Sequence, residues 1–160
     1  MAKRVFLEVR SGSAYYTLVG LSTQLRDYRL SFLLNKLPGF RFSRYEDLMI
    51  PLADTGEQIP FSVYISSDEE NFNQFTLLSN RSNDHILLSS LRQTDYLLII
   101  EGPFKKQQME LLLKELRTIP TILLAAEINT TSLKQFEQLL SDLELHRIAN
   151  TKRQEIAYNT

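Results

Sequence analysis

The chain has 160 residues, 43% of them hydrophobic and 23% charged. A chain of this length and composition can build a folded core without disulfides. Its 18 basic and 19 acidic side chains give a formal net charge of −1, so no overall field attracts nucleic acid or an anionic membrane. It contains no cysteine and only two histidines, which excludes disulfide and thiol chemistry and argues against a metal centre. No apolar run approaches the roughly 18 residues of a membrane span, and Glu8 and Arg10 interrupt any leader-like start. We therefore expect a cytoplasmic protein without a cofactor, with no nucleic-acid or membrane partner.

The first third of the chain predicts two short strands and a helix. Residues 5–7 and 15–19 are apolar and flank a turn-rich break, so they predict two strands or one interrupted strand. Ser22 or Thr23 can cap a helix that runs to Leu37, where Pro38 and Gly39 stop it.

The middle of the chain predicts an antiparallel hairpin. Residues 42–52 are expected to be extended, although their alternation is poor. Residues 59–65 alternate well, with Phe61, Val63 and Ile65 on one face and Ser62 and Tyr64 on the other. An acidic turn at 68–71 follows, and the next strand completes a hairpin over 59–80.

The clearest pattern is a strand, a helix and a strand between residues 97 and 126. Residues 97–100 form an apolar run that Gly102 and Pro103 stop, and residues 122–126 form a second run that we expect to be buried. The helix between them places its apolar side chains on one face: Met109, Leu112, Leu113, Leu116 and Ile119. Such a unit predicts a right-handed β-α-β crossover with the two strands parallel in one sheet.

These elements predict an α+β fold, with a mostly antiparallel sheet, one right-handed β-α-β crossover and three helices packed on the sheet. The arrangement is of the ferredoxin-like or split-crossover type. The last helix is amphipathic through Leu133, Phe136, Leu140 and Leu143. From His146 onward the chain is polar without a period, so we expect one domain over 1–145 and a frayed polar tail over 146–160.

Arg29 is the most unusual residue of the predicted first helix. A wheel drawn from the capped start places it between Leu25 and Leu33, inside an apolar arc that covers about two-thirds of the circumference. An unpaired guanidinium there would cost several kcal/mol, so we expect Arg29 to be at least half buried and paired with Glu101 or Glu127. A structural ion pair, an arginine that reaches solvent and a ligand-binding arginine are the alternatives.

Other polar segments predict weaker sites. The turn from Ser79 through Asn80 to Arg81 has the side chains to bind an anion, although such residues are also ordinary turn formers. The acidic turn at 68–70 lacks the spacing of a calcium-binding loop. No glycine-rich phosphate loop, catalytic triad or aromatic-basic stacking surface is present as a sequence motif.

Four short strings, in this order, resemble an uncharacterised bacterial family named for its motif Ile-Pro-Glu-x-x-x-Val-Asp-Tyr (IPExxxVDY). They lie at residues 26–30, 78–81, 95–103 and 126–129, and the naming motif itself retains only Asp95 and Tyr96. The resemblance implies a cytoplasmic protein of unassigned function and carries no catalytic residue across. It marks five positions that match the family pattern: Asp27, Arg29, Asn80, Arg81 and Asp95.

Three functions remain open from the sequence. The first is a non-enzymatic protein-binding or scaffolding module, with a protein partner or a second copy of the chain as a homodimer, because the first helix is too widely apolar and Leu111 points outward. The second is a regulatory domain that binds a small anionic ligand through Arg29, Asn80 and Arg81. The third is a small hydrolase or transferase whose site is assembled from scattered polar residues. The absence of an acid-base or metal motif favours the non-enzymatic functions.

Overall fold

A computed structural model describes residues 15–159, and its centre is a six-stranded sheet in which each neighbouring pair of strands is antiparallel. The strand order is β2-β3-β4-β7-β1-β8. A separate two-stranded hairpin, β5-β6, follows β4 in the chain. The eight strands are β1 (Tyr16–Thr23), β2 (Ser43–Pro51), β3 (Gln58–Asp68), β4 (Asn73–Ser79), β5 (Arg81–Ser82), β6 (His85–Ile86), β7 (Tyr96–Glu101) and β8 (Ile122–Ile128).

Three α-helices in the described part of the chain cover the two faces of the sheet: α1 (Asp27–Leu34), α2 (Lys106–Leu116) and α3 (Lys134–Asn159). α1 and α2 pack on one face, where Leu34 and Leu112 join a core with Leu98 of β7. α3 packs on the other face, where Phe136 joins a second core with Leu97. The class is therefore α+β with a mostly antiparallel sheet and three helices, which confirms the prediction at that level.

The hairpin predicted over 59–80 is confirmed as β3 and β4, and the extended segment at 42–52 is β2. Phe61 and Val63 face the α3 side while Tyr64 faces α1 and α2, as the alternation predicts. The turn between β3 and β4 meets the end of β7 at Gly102, whose φ of +103° puts it in the left-handed region. A Cβ there would lie 2.2 Å from the carbonyl oxygen of Phe72, so only glycine fits this position.

The two strands of the predicted crossover unit, β7 and β8, lie in one sheet but are not neighbours. β1 lies between them and pairs antiparallel with both, so that Val19 faces Leu98 on one side and Glu127 on the other. β1 is therefore an inner strand, and most of it is buried because Val19 and Leu21 lie in the core on one face of the sheet and Leu18 lies in the core on the other. The helix between the strands is confirmed: it buries Met109, Leu112 and Leu116, and Leu111 is 57% exposed on the outer face.

The prediction that residues 122–126 are a buried run is wrong for two of its side chains. β8 is an edge strand, and Leu123 and Leu124 are 74% and 58% exposed. The ladder to β1 shifts register at this point, so that Leu123 lies between the paired positions. Arg117 of the α2 C-terminus donates two hydrogen bonds to the Ala125 carbonyl, at 3.2 and 2.7 Å, and so occupies an acceptor that β1 does not use.

The prediction that Arg29 is half buried and paired with Glu101 or Glu127 is also wrong. β1 continues to Thr23, so α1 begins only at Asp27 and ends at Leu34 instead of spanning 22–37. Its buried positions are Leu30, Ser31 and Leu34, and Arg29 lies outside this stripe. Arg29 is exposed and stacks over the ring of Phe32, 5.6 Å from its centroid. The helical wheel predicted the wrong face for Arg29 because residues 22–26 are not helical.

The last helix is much longer than the sequence indicates. α3 continues to Asn159, through the segment that the sequence predicts to be a frayed tail. Side chains from this segment contact the sheet: His146 Nε2 lies 2.8 Å from the Glu46 carbonyl of β2, and Arg147 Nη1 lies 3.2 Å from Glu101 Oε1 of β7. These polar contacts carry no hydrophobic period, which explains why the pattern does not reveal the helix.

Candidate functional site

A cavity of about 470 Å³ lies between the second half of α3 and one end of the sheet. Its roof is one face of α3 over residues 140–155, which includes Leu140, Leu143, Glu144, Arg147 and Lys152. Its floor is made by side chains of five strands: Tyr16, Tyr45, Val63, Ile65, Thr76, Ile99 and Glu101. We call this space the wedge cavity.

The floor of the wedge cavity is made of neighbouring positions on one face of the sheet. In the ladders, Thr76 pairs with Ile65 on one side and with Ile99 on the other, and Tyr16 pairs with Glu101. Side chains at directly paired positions lie on the same face of a sheet. The register therefore places one hydroxyl, Thr76, between two aliphatic side chains at the centre of the floor.

Thr76 differs from the other buried polar side chains in this structure. Its exposed fraction is 7%, and its hydroxyl makes no hydrogen bond with any described residue. The other buried polar side chains of the described chain each make a side-chain hydrogen bond: Thr23, Ser31, Ser66, Asn73, Asn80 and Asn150. A buried polar group without a partner costs free energy, and such a group in a cavity points to a ligand or to water there.

The charged end of the wedge cavity is built by α3 and β7. Arg147 Nη1 lies 3.2 Å from Glu101 Oε1, with the two side chains 40% and 28% exposed. In the orientation that satisfies both ends of its amide, Gln74 accepts two hydrogen bonds from the same guanidinium, at 3.2 and 3.0 Å. Glu144 also lines the cavity and forms no ion pair within the described residues.

Two tyrosines flank the cavity at opposite ends of its floor. Burial raises the pKa of the Tyr16 phenol to about 12, and the negative charges of Glu101 and Glu144 contribute to the same direction. The Tyr45 ring packs edge-on against His146, with the ring centroids 5.6 Å apart. Neither phenol hydroxyl makes a hydrogen bond with a described residue, so both remain able to meet a ligand.

Three of the residues predicted as site candidates form a second cluster, at the other end of β4 and β7. Asn80 is fully buried; its amide donates to the carbonyls of Leu91 and Thr94 and accepts from the Leu88 N–H. Arg81 Nε donates to Asp95 Oδ1 at 2.8 Å, and a terminal nitrogen of Arg81 donates to the Arg92 carbonyl.

The remaining oxygen of Asp95 is also used within the protein. Asp95 Oδ2 accepts from the backbone N–H of Thr23 at 2.8 Å, which ties the loop to the end of β1. The cluster of Asn80, Arg81 and Asp95 therefore holds the loop over 80–95 in place with its own hydrogen-bonding groups.

The other predicted candidates are scattered. Asp27 Oδ1 accepts from the Tyr28 N–H at 2.8 Å in the first turn of α1, and the same carboxylate pairs with Arg44 at 3.2 Å. Arg29 lies on the outer face of α1, and Glu127 is exposed on the edge strand β8. Glu101 is the one candidate from the sequence that lines the wedge cavity.

Most residues that line the cavity carry no signal in the sequence that predicts a site. Tyr16, Tyr45 and Thr76 lie on three different strands, and Arg147 lies in the segment that was predicted to be a tail. A signal for Thr76 was present, since it is a polar residue between the apolar Phe75 and Leu77 of a strand that is otherwise buried. Its position in a cavity depends on the long-range register, which one sequence does not reveal.

No family model matches the chain, and no curated protein or solved structure is significantly similar to it. Within residues 15–159, no helix is both long and apolar enough to cross a membrane. The side chains described over the same range include no group of three or more histidines and carboxylates that are placed to hold a metal ion.

Proposed function

We propose that the protein binds a small amphipathic molecule in the wedge cavity. The observation that carries this proposal is the hydroxyl of Thr76, which lies between the aliphatic side chains of Ile65 and Ile99 and has no partner among the described residues. The cavity volume of about 470 Å³ lies within the range of about 300–1,000 Å³ that is typical of small-ligand sites. An apolar floor with a few polar groups at fixed positions is the usual composition of such sites.

Like the second function that the sequence left open, this proposal involves a small ligand, but it places the binding site in the wedge cavity and not at Arg29, Asn80 and Arg81. The side chains of Asn80 and Arg81 hydrogen-bond to groups within the loop over 80–95. Arg29 lies on α1, which packs on the face of the sheet opposite the wedge cavity. The groups available to a ligand are instead Thr76, Tyr16 and Tyr45.

A neutral probe tests the proposal. We expect 1-octanol, titrated into ¹⁵N-labelled full-length protein, to shift the amide resonances of Ile65, Thr76 and Ile99 and of the α3 segment above them. Resonances of α1 should not move, because α1 lies on the other face of the sheet. Shifts confined to α1, or no saturable shift at all, would refute the proposal.

A matched pair of variants controls for surface effects. Ile148 lines the cavity and is 46% exposed, so Ile148→Trp places a bulky ring at the mouth without filling a tightly packed site. Leu145 is 64% exposed on the same helix and does not line the cavity. Ile148→Trp should weaken octanol binding severalfold while Leu145→Trp leaves it unchanged, and equal effects of the two variants would contradict a site in the wedge cavity.

A second candidate function is the non-enzymatic protein-binding or scaffolding module, as a homodimer or with a protein partner. The observation in its favour is the outer face of α1, where Tyr28 and Phe32 are 63% and 51% exposed. Large exposed aromatic side chains are enriched at protein interfaces. Lys36 and Arg29 lie over the Phe32 ring, at 4.9 and 5.6 Å, and would frame such an interface with positive charge.

Sedimentation equilibrium tests the homodimer version of this candidate. Self-association that Phe32→Ser abolishes, and that Leu145→Ser on the other side of the sheet does not, would support an interface on α1. A strict monomer at high micromolar concentration would refute the homodimer.

The finer predictions about fold and family remain proposals. We propose that the β7-α2-β8 connection is right-handed, as nearly all such connections are, and that the fold is of the ferredoxin-like or split-crossover type. The resemblance to the IPExxxVDY family and the cytoplasmic location also stay predictions.

The hydrolase or transferase alternative lacks support among the described residues. In that part of the chain, neither histidine side chain hydrogen-bonds to a hydroxyl or a carboxylate.

A further inference from the structure

We infer that the ligand of the wedge cavity carries an ammonium head on an apolar body, as a primary alkylamine or arylalkylamine does. The inference rests on the proposed function, since it assigns a charge to the molecule that the cavity binds. Three features carry it: the excess of carboxylates in the lining, the Thr76 hydroxyl, for which the described residues provide no partner, and the two tyrosine rings.

The charges of the lining favour a cation. The cavity is lined by three carboxylates, Glu101, Glu144 and Glu155, against two permanent cations, Arg147 and Lys152, which leaves one negative charge in excess. Arg147 is neutralised by Glu101 at 3.2 Å and is further held by Gln74. An anionic head would therefore find Arg147 already occupied. Among the described residues, the lining groups without an ion pair are two carboxylates, Glu144 and Glu155, against one cation, Lys152.

The spacing of polar groups on the floor suits an ammonium. Thr76 pairs with Ile99, and Glu101 lies two residues further along the same strand on the same face. Thr76 and Glu101 are therefore diagonal neighbours on adjacent strands, about 7–8 Å apart in the backbone, which a long side chain such as that of Glu101 can span in part. An ammonium between them has three N–H donors, so it can donate to the Thr76 hydroxyl and to Glu101 Oε2, because Arg147 contacts the other oxygen, Oε1.

The two tyrosine rings supply a further attraction for a cation. Tyr16 and Tyr45 both line the floor, and an aromatic face attracts a nearby cation. The raised pKa of Tyr16, to which Glu101 and Glu144 contribute, keeps its hydroxyl neutral and is consistent with a negative potential at this end of the cavity. His146 also lines the cavity, and its Nε2 is held by the Glu46 carbonyl.

Three probes with the same eight-carbon body separate the head group from the apolar contact. Octylamine, 1-octanol and octanoate are titrated into the labelled full-length protein at about pH 7, where an alkylamine is protonated and a carboxylate is ionised. We expect octylamine to bind at least about tenfold more tightly than octanoate, with octanol between them, because one charge changes from attractive to repulsive. Added salt should weaken octylamine binding and leave octanol binding unchanged.

A charge-neutral variant assigns the effect to the cavity. Glu144→Gln should lower the affinity for octylamine about threefold or more without changing that for octanol, while Glu137→Gln, in the first turn of the same helix, should change neither. Octanoate binding as tightly as octylamine, or equal effects of the two variants, would overturn the ammonium assignment and leave the proposed function standing. If none of the three probes shifts the cavity resonances, the proposed function itself fails.

Discussion

Replacing Thr76 by valine should stabilise the protein while weakening ligand binding. Thr76 is only 7% exposed, and its hydroxyl has no partner among the described residues. Leaving a buried polar group unsatisfied costs about 1–3 kcal/mol. Because the cavity is open enough to admit water, part of this cost is already recovered, so we expect Thr76→Val to raise the free energy of unfolding by about 1 kcal/mol. For a domain of this size that corresponds to a rise of about 2–4 °C in the melting temperature.

Thr23→Val is the matched control, since Thr23 is equally buried but fully bonded. Its hydroxyl donates to the Thr121 carbonyl at 2.7 Å and accepts from the Leu25 N–H at 3.2 Å. Its replacement should lower the free energy of unfolding by about 1–3 kcal/mol, because two backbone groups lose their partner. Urea denaturation monitored by circular dichroism measures both variants. If Thr76→Val destabilises as much as Thr23→Val, the Thr76 hydroxyl has a partner and the argument for the cavity loses its main support.

The remaining predictions concern other residues. Asn80→Ala should destabilise by about 3 kcal/mol or more in urea denaturation, because it strands three backbone groups of the loop over 80–95; a loss below about 1 kcal/mol would contradict its role. Arg29→Met should change the free energy of unfolding by less than about 0.5 kcal/mol, since the side chain is exposed. A large loss of stability in the same assay would show instead that Arg29 is buried and paired. The pKa of Tyr16 is raised from 10.0 to about 12, so the stability that its neutral form provides is complete below about pH 10 and is lost as the pH rises through about 12. Alkaline denaturation curves should therefore be less steep over this range for Tyr16→Phe, and identical curves would show that Tyr16 ionises as freely in the folded state as in the unfolded chain.

The elements that the sequence predicts correctly are those whose burial has a local period. α2 shows its apolar face at i, i+3 and i+7, and β3 alternates, so both could be recognised without the rest of the fold. Strand order could not be predicted, because β1 pairs with partners about 80 and 105 residues further along the chain. Leu123 is exposed because β8 is an edge strand, and the apolar sequence of β8 does not indicate this edge position.

The candidate site was less predictable than the fold. Glu101 was found because it ends an apolar strand, but its partner Arg147 belongs to a helical segment whose contacts with the sheet are polar and have no period. Arg29 was misassigned because the capping signal at Ser22 and Thr23 belongs to the end of β1, where Thr23 accepts from the Leu25 N–H. A capping residue and a strand end use the same side-chain chemistry, so local pattern alone did not separate them.

The insertion of β1 between β7 and β8 sets the order in which the chain can complete its sheet. β1 is synthesised among the first strands, but both of its neighbours come from the last part of the sheet, with β8 ending about 105 residues after β1. At about 5–20 residues per second of synthesis, β1 waits roughly 5–20 s for both partners. Pairings this distant in sequence also slow folding in solution, because loop closure must precede the contacts that reward it. Completion of the sheet is therefore delayed until most of the chain has left the ribosome. Until then, the apolar residues of β1 lack their native neighbours in the sheet.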